Sequence, residues 1–166
     1  VKGVSKLILT ADEIAKIFTG KITKWNDPAL NASNPGVNLP SSKITVFNRS
    51  DASGTTQNFE TYLATSAPSV WTQTPSKRWA GVGQGKTGNQ LVGQSVQATA
   101  DSIGYVEWSY AIQNNLPTAE VDNGAGPVQL TADTVAKTVA TAQIAPSGPG
   151  DLTLKLDYAT KVAGAY

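Results

Sequence analysis

Residues 43–64 read KITVFNRSDASGTTQNFETYLA. The β-branched and aromatic run at 43–48 suits a strand inside a sheet. From 55 to 64, Phe59, Tyr62 and Leu63 recur at helical spacing. Only a short polar turn separates the two segments, so strand, turn and helix succeed one another as in the opening of a βα unit.

Outward from this unit the pattern repeats. Residues 6–10, KLILT, form a short apolar run suited to a buried strand. They lead into Thr10-Ala-Asp-Glu13, where Thr10 is placed to cap a helix and Glu13 to reach back to it. Ile14, Ile17 and Phe18 share one face of that helix, and Gly20 is placed to end it. Residues 24–42, rich in Asn, Pro and Ser, read as a long irregular connection, and 67–88 as a second one containing Pro, Trp and Gly. A helix is expected over 89–99, a strand over 102–108, a short helix over 109–114 and a Thr-capped helix over 131–141. Turns are expected at 122–127 and 146–150. Strands alternating with helices predict an α/β layer fold with a largely parallel sheet.

The turn Asn48-Arg49-Ser50-Asp51-Ala52-Ser53-Gly54-Thr55-Thr56 carries the chemistry. In an open α/β sheet, ligands bind beyond the carboxyl ends of strands, where helix N-termini offer free N–H groups and a positive dipole end. Ser53, Thr55 and Thr56 add hydroxyl donors, and Gly54 admits a tetrahedral oxyanion close to the backbone. Arg49 offers a planar fork that grips two oxygens, and Asp51 is suited to hold the guanidinium in place. A plainer reading stands beside this one: Ser53 or Thr55 caps the helix, and Arg49 and Asp51 form a surface pair.

RSDASGTT, between strand and helix and with an aromatic residue four positions after Thr55, resembles the Arg-Ser/Ala-Asp-Gly-Ser-Gly-Thr-Thr/Ser signature of PstS, the phosphate-binding protein of bacterial high-affinity phosphate ABC transporters. The likeness extends through GKITKWNDP at 20–28, NPGVNLP at 34–40 and SIGYVEWSYAIQNNL at 102–116, and loosens from Thr118 onward. The resemblance implies a three-layer lobe of a type II periplasmic-binding-protein fold, with a mostly parallel central sheet of about five strands flanked by helices. Residues 1–166 would form a single lobe, the inserted half of a two-lobe protein whose other lobe supplies the rest of the anion site. On the family pattern, Arg49, Ser53, Gly54 and Thr55 contact phosphate through guanidinium, hydroxyl, backbone amide, and amide plus hydroxyl, with Asp51 and Thr56 in support. Ala52 stands where the family usually has glycine; a positive φ there would make alanine cost about 1 kcal/mol.

AGVGQGKT at 80–87 matches a loose P-loop pattern, but TQTPSKRW before it is polar and broken by Pro75, so no buried strand feeds it. The family resemblance instead sets a glycine-rich loop at the start of the 88–99 helix, on the same side of the cleft as the anion site. Lys86 either adds positive potential there or is simply solvated.

Composition narrows the chemistry further. With 13 Lys+Arg against 12 Asp+Glu the net charge is +1, which gives no basic field for nucleic acid. The absence of His and Cys removes the usual general base, thiolate chemistry and the commonest metal ligands. No apolar run is long enough to span a membrane. The absence of Met and the start at Val1 suggest a processed chain or an excised piece.

The expectation is therefore a binding module without catalytic residues, metal or cofactor. Its ligand would be inorganic phosphate, and its partners the first lobe of the same protein and the membrane permease of a phosphate ABC transporter. Its location would be extracytoplasmic. The alternatives are a phosphatase-like enzyme on the same scaffold, or a lobe with no measurable binding alone.

Overall fold

The computed structural model describes residues 1, 3–144, 148 and 154–166. In chain order the elements are β1 (Ile8–Thr10), α1 (Ala11–Phe18), α2 (Pro28–Ser33), β2 (Thr45–Arg49), α3 (Gly54–Ser66), β3 (Gln84–Lys86) and α4 (Gly88–Ala98). They continue with β4 (Ser102–Gly104), α5 (Trp108–Gln113), β5 (Glu120–Asp122), β6 (Pro127–Val128), α6 (Ala132–Ala140), β7 (Gln143–Ile144) and β8 (Leu154–Lys155).

The Thr10 capping box forms as its sequence demands. Thr10 Oγ1 accepts from Glu13 N at 3.3 Å, and Glu13 Oε2 accepts from Thr10 N at 2.8 Å. The helix that follows buries Ile14, Ala15, Ile17 and Phe18. Gly20, at φ +76°, then turns the chain away.

Residues 24–42 are less irregular than their composition predicts. Asp27 Oδ1 accepts from Ala29 N at 3.0 Å and Pro28 occupies the first helical position, which together start the six-residue α2. Asn34, just past its end, is 2% exposed. Its Oδ1 accepts from Ile8 N, and its Nδ2 donates to Ile8 O and to Leu30 O, all at 2.8 Å. One side chain thus satisfies an edge of β1 that another strand would otherwise pair.

The α/β class holds, with helices flanking parallel-rich sheets. Instead of one sheet of about five strands, however, the strands among the described residues form two sheets of three, ordered β1-β5-β6 and β3-β2-β4, and a pair β7-β8. Asn34, and among these residues no further strand, bonds Ile8 on the edge of β1 away from β5. The pairings β1/β5, β2/β3 and β2/β4 are parallel, and the β5/β6 hairpin turns through the expected loop at 122–127. The 146–150 turn lies largely outside the described residues.

Trp25, Trp71, Phe18, Leu9, Ile17, Leu30 and Leu63 are fully buried. Beside them Phe59 stacks on Tyr105 with centroids 4.7 Å apart and meets Phe18 edge-on at 4.9 Å. This aromatic cluster fastens α3 to α1 and places the start of α3 next to the end of β2. Among the described residues no helix is long and apolar enough to cross a membrane.

Candidate anion site

Because β3 and β4 both run parallel to β2, the carboxyl ends of all three strands reach one edge, with Arg49 in register with Lys86 and Phe47 with Gly104. Helices α3 and α4 begin at that same edge, at Gly54 and Gly88. Two positive helix ends therefore converge on the end of β2.

Arg49 is held there from several sides. Its Nε donates to Asp51 Oδ1 at 2.8 Å, its Nη2 to Asp51 Oδ2 at 2.5 Å, and its Nη1 to Asn89 Oδ1 at 3.2 Å. Its backbone N–H donates to the Tyr105 hydroxyl at 3.2 Å. A guanidinium has five N–H bonds, so these contacts leave one on each terminal nitrogen for a ligand. The side chain is 11% exposed, which keeps its charge poorly solvated and its geometry fixed. The Asp51 hydrogen bonds raise the Arg49 pKa further, so the cation persists at any physiological pH.

Asp51 also accepts from Gly88 N at 3.0 Å. Hydrogen bonding from Arg49, then from Gly88, holds its carboxyl well below the usual carboxylate range. Both of its oxygens are engaged, as the guanidinium-holding role requires.

At the start of α3, Ser53 is the cap. Its Oγ accepts from Thr56 N at 3.3 Å, while its own N–H donates to Lys77 O at 2.8 Å. Its amide is thereby committed, and its hydroxyl proton remains available. The amides of Gly54 and Thr55 lie in the first turn, where the residues four back are outside the helix and give no intrahelical partner. A Cβ placed on Gly54 would meet nothing within 4 Å, and its φ is not positive, so neither packing nor backbone conformation requires glycine there. Close approach of a ligand does give glycine a use.

Thr56 is fully buried and its Oγ1 lies 2.8 Å from the Tyr105 hydroxyl, which ties α3 to β4 and supports the site from behind. Burial pushes the Tyr105 hydroxyl upward in pKa, so it stays protonated. Ala52 is not among the non-glycine residues with positive φ, which are Asp101 and Asn115 among the described residues. Alanine therefore fits this turn without the backbone cost that a left-handed position would impose.

AGVGQGKT proves to be the approach to β3 and the strand itself, which residues 67–88 were not expected to contain. At Gly83, with φ +137°, a Cβ would sit 2.7 Å from Asn48 Oδ1 and 3.0 Å from Val46 O. At Gly85 it would sit 2.9 Å from Ser50 Cβ. These glycines let an edge strand close tightly on β2 and do not cradle a ligand. Lys86 lies in the strand, its Nζ 5.6 Å from the Phe47 ring centroid.

The structure thus gathers Arg49, Asp51, Ser53, Gly54, Thr55 and Thr56 at one edge and adds Asn89, Tyr105 and Lys77, which the sequence did not single out. Tyr105 read only as part of a strand, and Asn89 as one more polar residue in the first turn of a helix. Their partners lie 40 or more positions away, beyond the reach of local pattern.

The arrangement sets an arginine beside the open start of a helix on an α/β layer, and comparison with known proteins gives the family. A family model described as the PBP superfamily domain matches residues 1–166. The chain belongs to the PBP superfamily. Within this superfamily it is 43% identical over 157 residues to the phosphate-binding protein PstS 2 of Mycobacterium tuberculosis, a match covering 93% of this chain and 42% of that protein. Among solved structures, a substrate-binding protein from Clostridium perfringens with bound phosphate aligns at TM-score 0.57 and 26% identity, covering 80% of this chain and 45% of the other. PstS from Borrelia burgdorferi aligns at TM-score 0.59 and 22% identity over 82% of this chain and 49% of that one, a likeness of fold. This PBP-superfamily chain spans less than half the length of each.

Proposed function

We propose that residues 1–166 form one lobe of an extracytoplasmic phosphate-binding protein serving an ABC importer, and that this lobe holds one half of the anion site. Arg49, the Ser53 hydroxyl, the Gly54 amide, and the Thr55 amide and hydroxyl contact inorganic phosphate. Asp51 and Thr56 support them. A second lobe supplies the remaining contacts, and closure of the two around the anion presents it to a membrane permease.

The observation that carries this reading is the pairing of Arg49 with the open N-terminus of α3. A guanidinium fixed by Asp51 at 2.8 and 2.5 Å retains two free N–H bonds beside uncommitted first-turn amides. Every group directed to the ligand can donate, and the chain has no histidine to activate the Ser53 or Thr55 hydroxyl as a nucleophile, which favours holding an oxyanion over cleaving an ester. The names of the similar proteins, phosphate-binding and substrate-binding, support the same ligand.

The test is to titrate inorganic phosphate into the ¹⁵N-labelled chain. Shift changes centred on Ser53, Gly54, Thr55 and the Arg49 side chain are expected. Changes confined to other surfaces would overturn the assignment.

A further inference from the structure

The inward face of α3 is polar where an ordinary amphipathic helix is apolar. Ser53, Thr56, Glu60 and Leu63 follow one another at helical spacing and are 4%, 0%, 0% and 0% exposed. Ser53 caps the helix and Thr56 binds Tyr105, but Glu60 is a carboxylate sealed in the protein with no ion pair among the described residues. Its partners come from one loop: Oε2 accepts from Ser76 N and Oε1 from Ala80 N, both at 2.9 Å. Burying a carboxylate is costly unless its oxygens are hydrogen-bonded, so the contact secures the loop as well as the charge.

At the centre of that loop, the Lys77 carbonyl accepts the Ser53 amide at 2.8 Å. The Ser76 hydroxyl, which donates to Arg78 O at 2.8 Å, tightens the same turn. A chain of contacts therefore runs from Glu60 through residues 76–80 and back to Ser53, two helical turns earlier on the same face.

We infer that Glu60 is a positioning residue of the anion site. It latches the 76–80 loop so that Lys77 O draws the Ser53 amide aside and leaves the Ser53 hydroxyl and the next two amides facing the anion. A negative charge thus assists anion binding through geometry, from a position that never meets the ligand. This rests on the half-site reading given above.

The experiment compares Glu60→Gln with Glu13→Gln and Arg49→Ala by phosphate titration monitored on the amides of residues 53–55. Glutamine places an N–H₂ against a backbone N–H and opens the latch. Glu13, also buried, serves the cap of α1 and Ser33, and none of its partners belongs to the 76–80 loop. Glu60→Gln is expected to weaken phosphate binding at least about fivefold and to shift the Ser53 amide before any ligand is added. Glu13→Gln is expected to leave affinity unchanged. Parent-like affinity in Glu60→Gln, with binding lost in Arg49→Ala, would overturn the inference and spare the site. Parent-like affinity in Arg49→Ala would overturn the site itself. Should Glu60→Gln not fold, hydrogen exchange on the parent decides: phosphate must slow exchange at Ser76 and Ala80 together with Ser53, and unchanged rates at the two loop amides would refute the latch.

Discussion

The amide of Gly88 donates to Asp51 Oδ1 at 3.0 Å, fastening the start of α4 to the carboxylate that grips Arg49. Asp51 is therefore a junction of β2, α4 and the cation, and its titration bears on stability. Its pKa in the folded chain lies below the 3.8 of an unconstrained aspartate. The stabilisation is present above that value and is lost as pH falls below it. Urea unfolding of parent and Asp51→Asn should differ most near neutral pH, and the difference should shrink as pH drops from about 5 toward 3. A difference that does not vary with pH would show that the carboxylate charge contributes nothing.

Removal of the Tyr105 hydroxyl should cost stability while the aromatic cluster survives. Tyr105→Phe leaves Thr56 Oγ1 and the Arg49 amide without the partner they now share. A buried donor left unpaired costs about 1–3 kcal/mol, which denaturant titration resolves. A change below about 0.5 kcal/mol would mean that water takes the hydroxyl's place.

The turn before α3 should gain nothing from glycine at position 52. Because Ala52 does not occupy a positive-φ conformation, Ala52→Gly adds only unfolded-chain freedom and should destabilise by about 0.4–1 kcal/mol, with phosphate affinity unchanged. Tighter binding in this variant would show that alanine distorts the loop.

How far these features could be read from sequence depends on how local they are. The Thr10/Glu13 box, the helix after Ser53 and the strand before Arg49 were legible, because caps and hydrophobic periodicity act within a few residues. Strand β3 was not: its glycines made it look like a loop, and only the tight approach to β2 and its end explains Gly83 and Gly85. Asn34 and Glu60 escaped for a related reason. A polar residue reads as surface until a distant backbone is found to need it, as Ile8 needs Asn34 and the 76–80 loop needs Glu60. At the candidate site, the cluster from Arg49 to Thr56 is contiguous in sequence and could be named in advance, whereas Asn89, Tyr105 and Lys77, which bond to Arg49, Thr56 and Ser53 from distant positions, could not.

Selectivity offers a separate test. Near neutral pH phosphate still carries a proton and can donate a hydrogen bond, whereas sulfate only accepts. The groups proposed to face the anion are donors, and both Asp51 oxygens are occupied by Arg49 and Gly88. If, as proposed, half the contacts belong to another lobe and this half stays open to water, phosphate should bind on the order of millimolar and sulfate within about tenfold of it at matched ionic strength. A stronger preference for phosphate would mean that Asp51 releases Arg49 and accepts the ligand proton.

The central claim is that Arg49, and not the neighbouring cation in register with it, holds the anion. Phosphate titration of Arg49→Ala and Lys86→Ala addresses this most directly. Arg49 presents two fixed N–H bonds, a charge-assisted contact worth about 1.5–3 kcal/mol, whereas Lys86 lies over the Phe47 ring and acts at most through a screened field. The account predicts that Arg49→Ala abolishes most binding and that Lys86→Ala leaves it nearly intact. Equal losses in the two variants would contradict it.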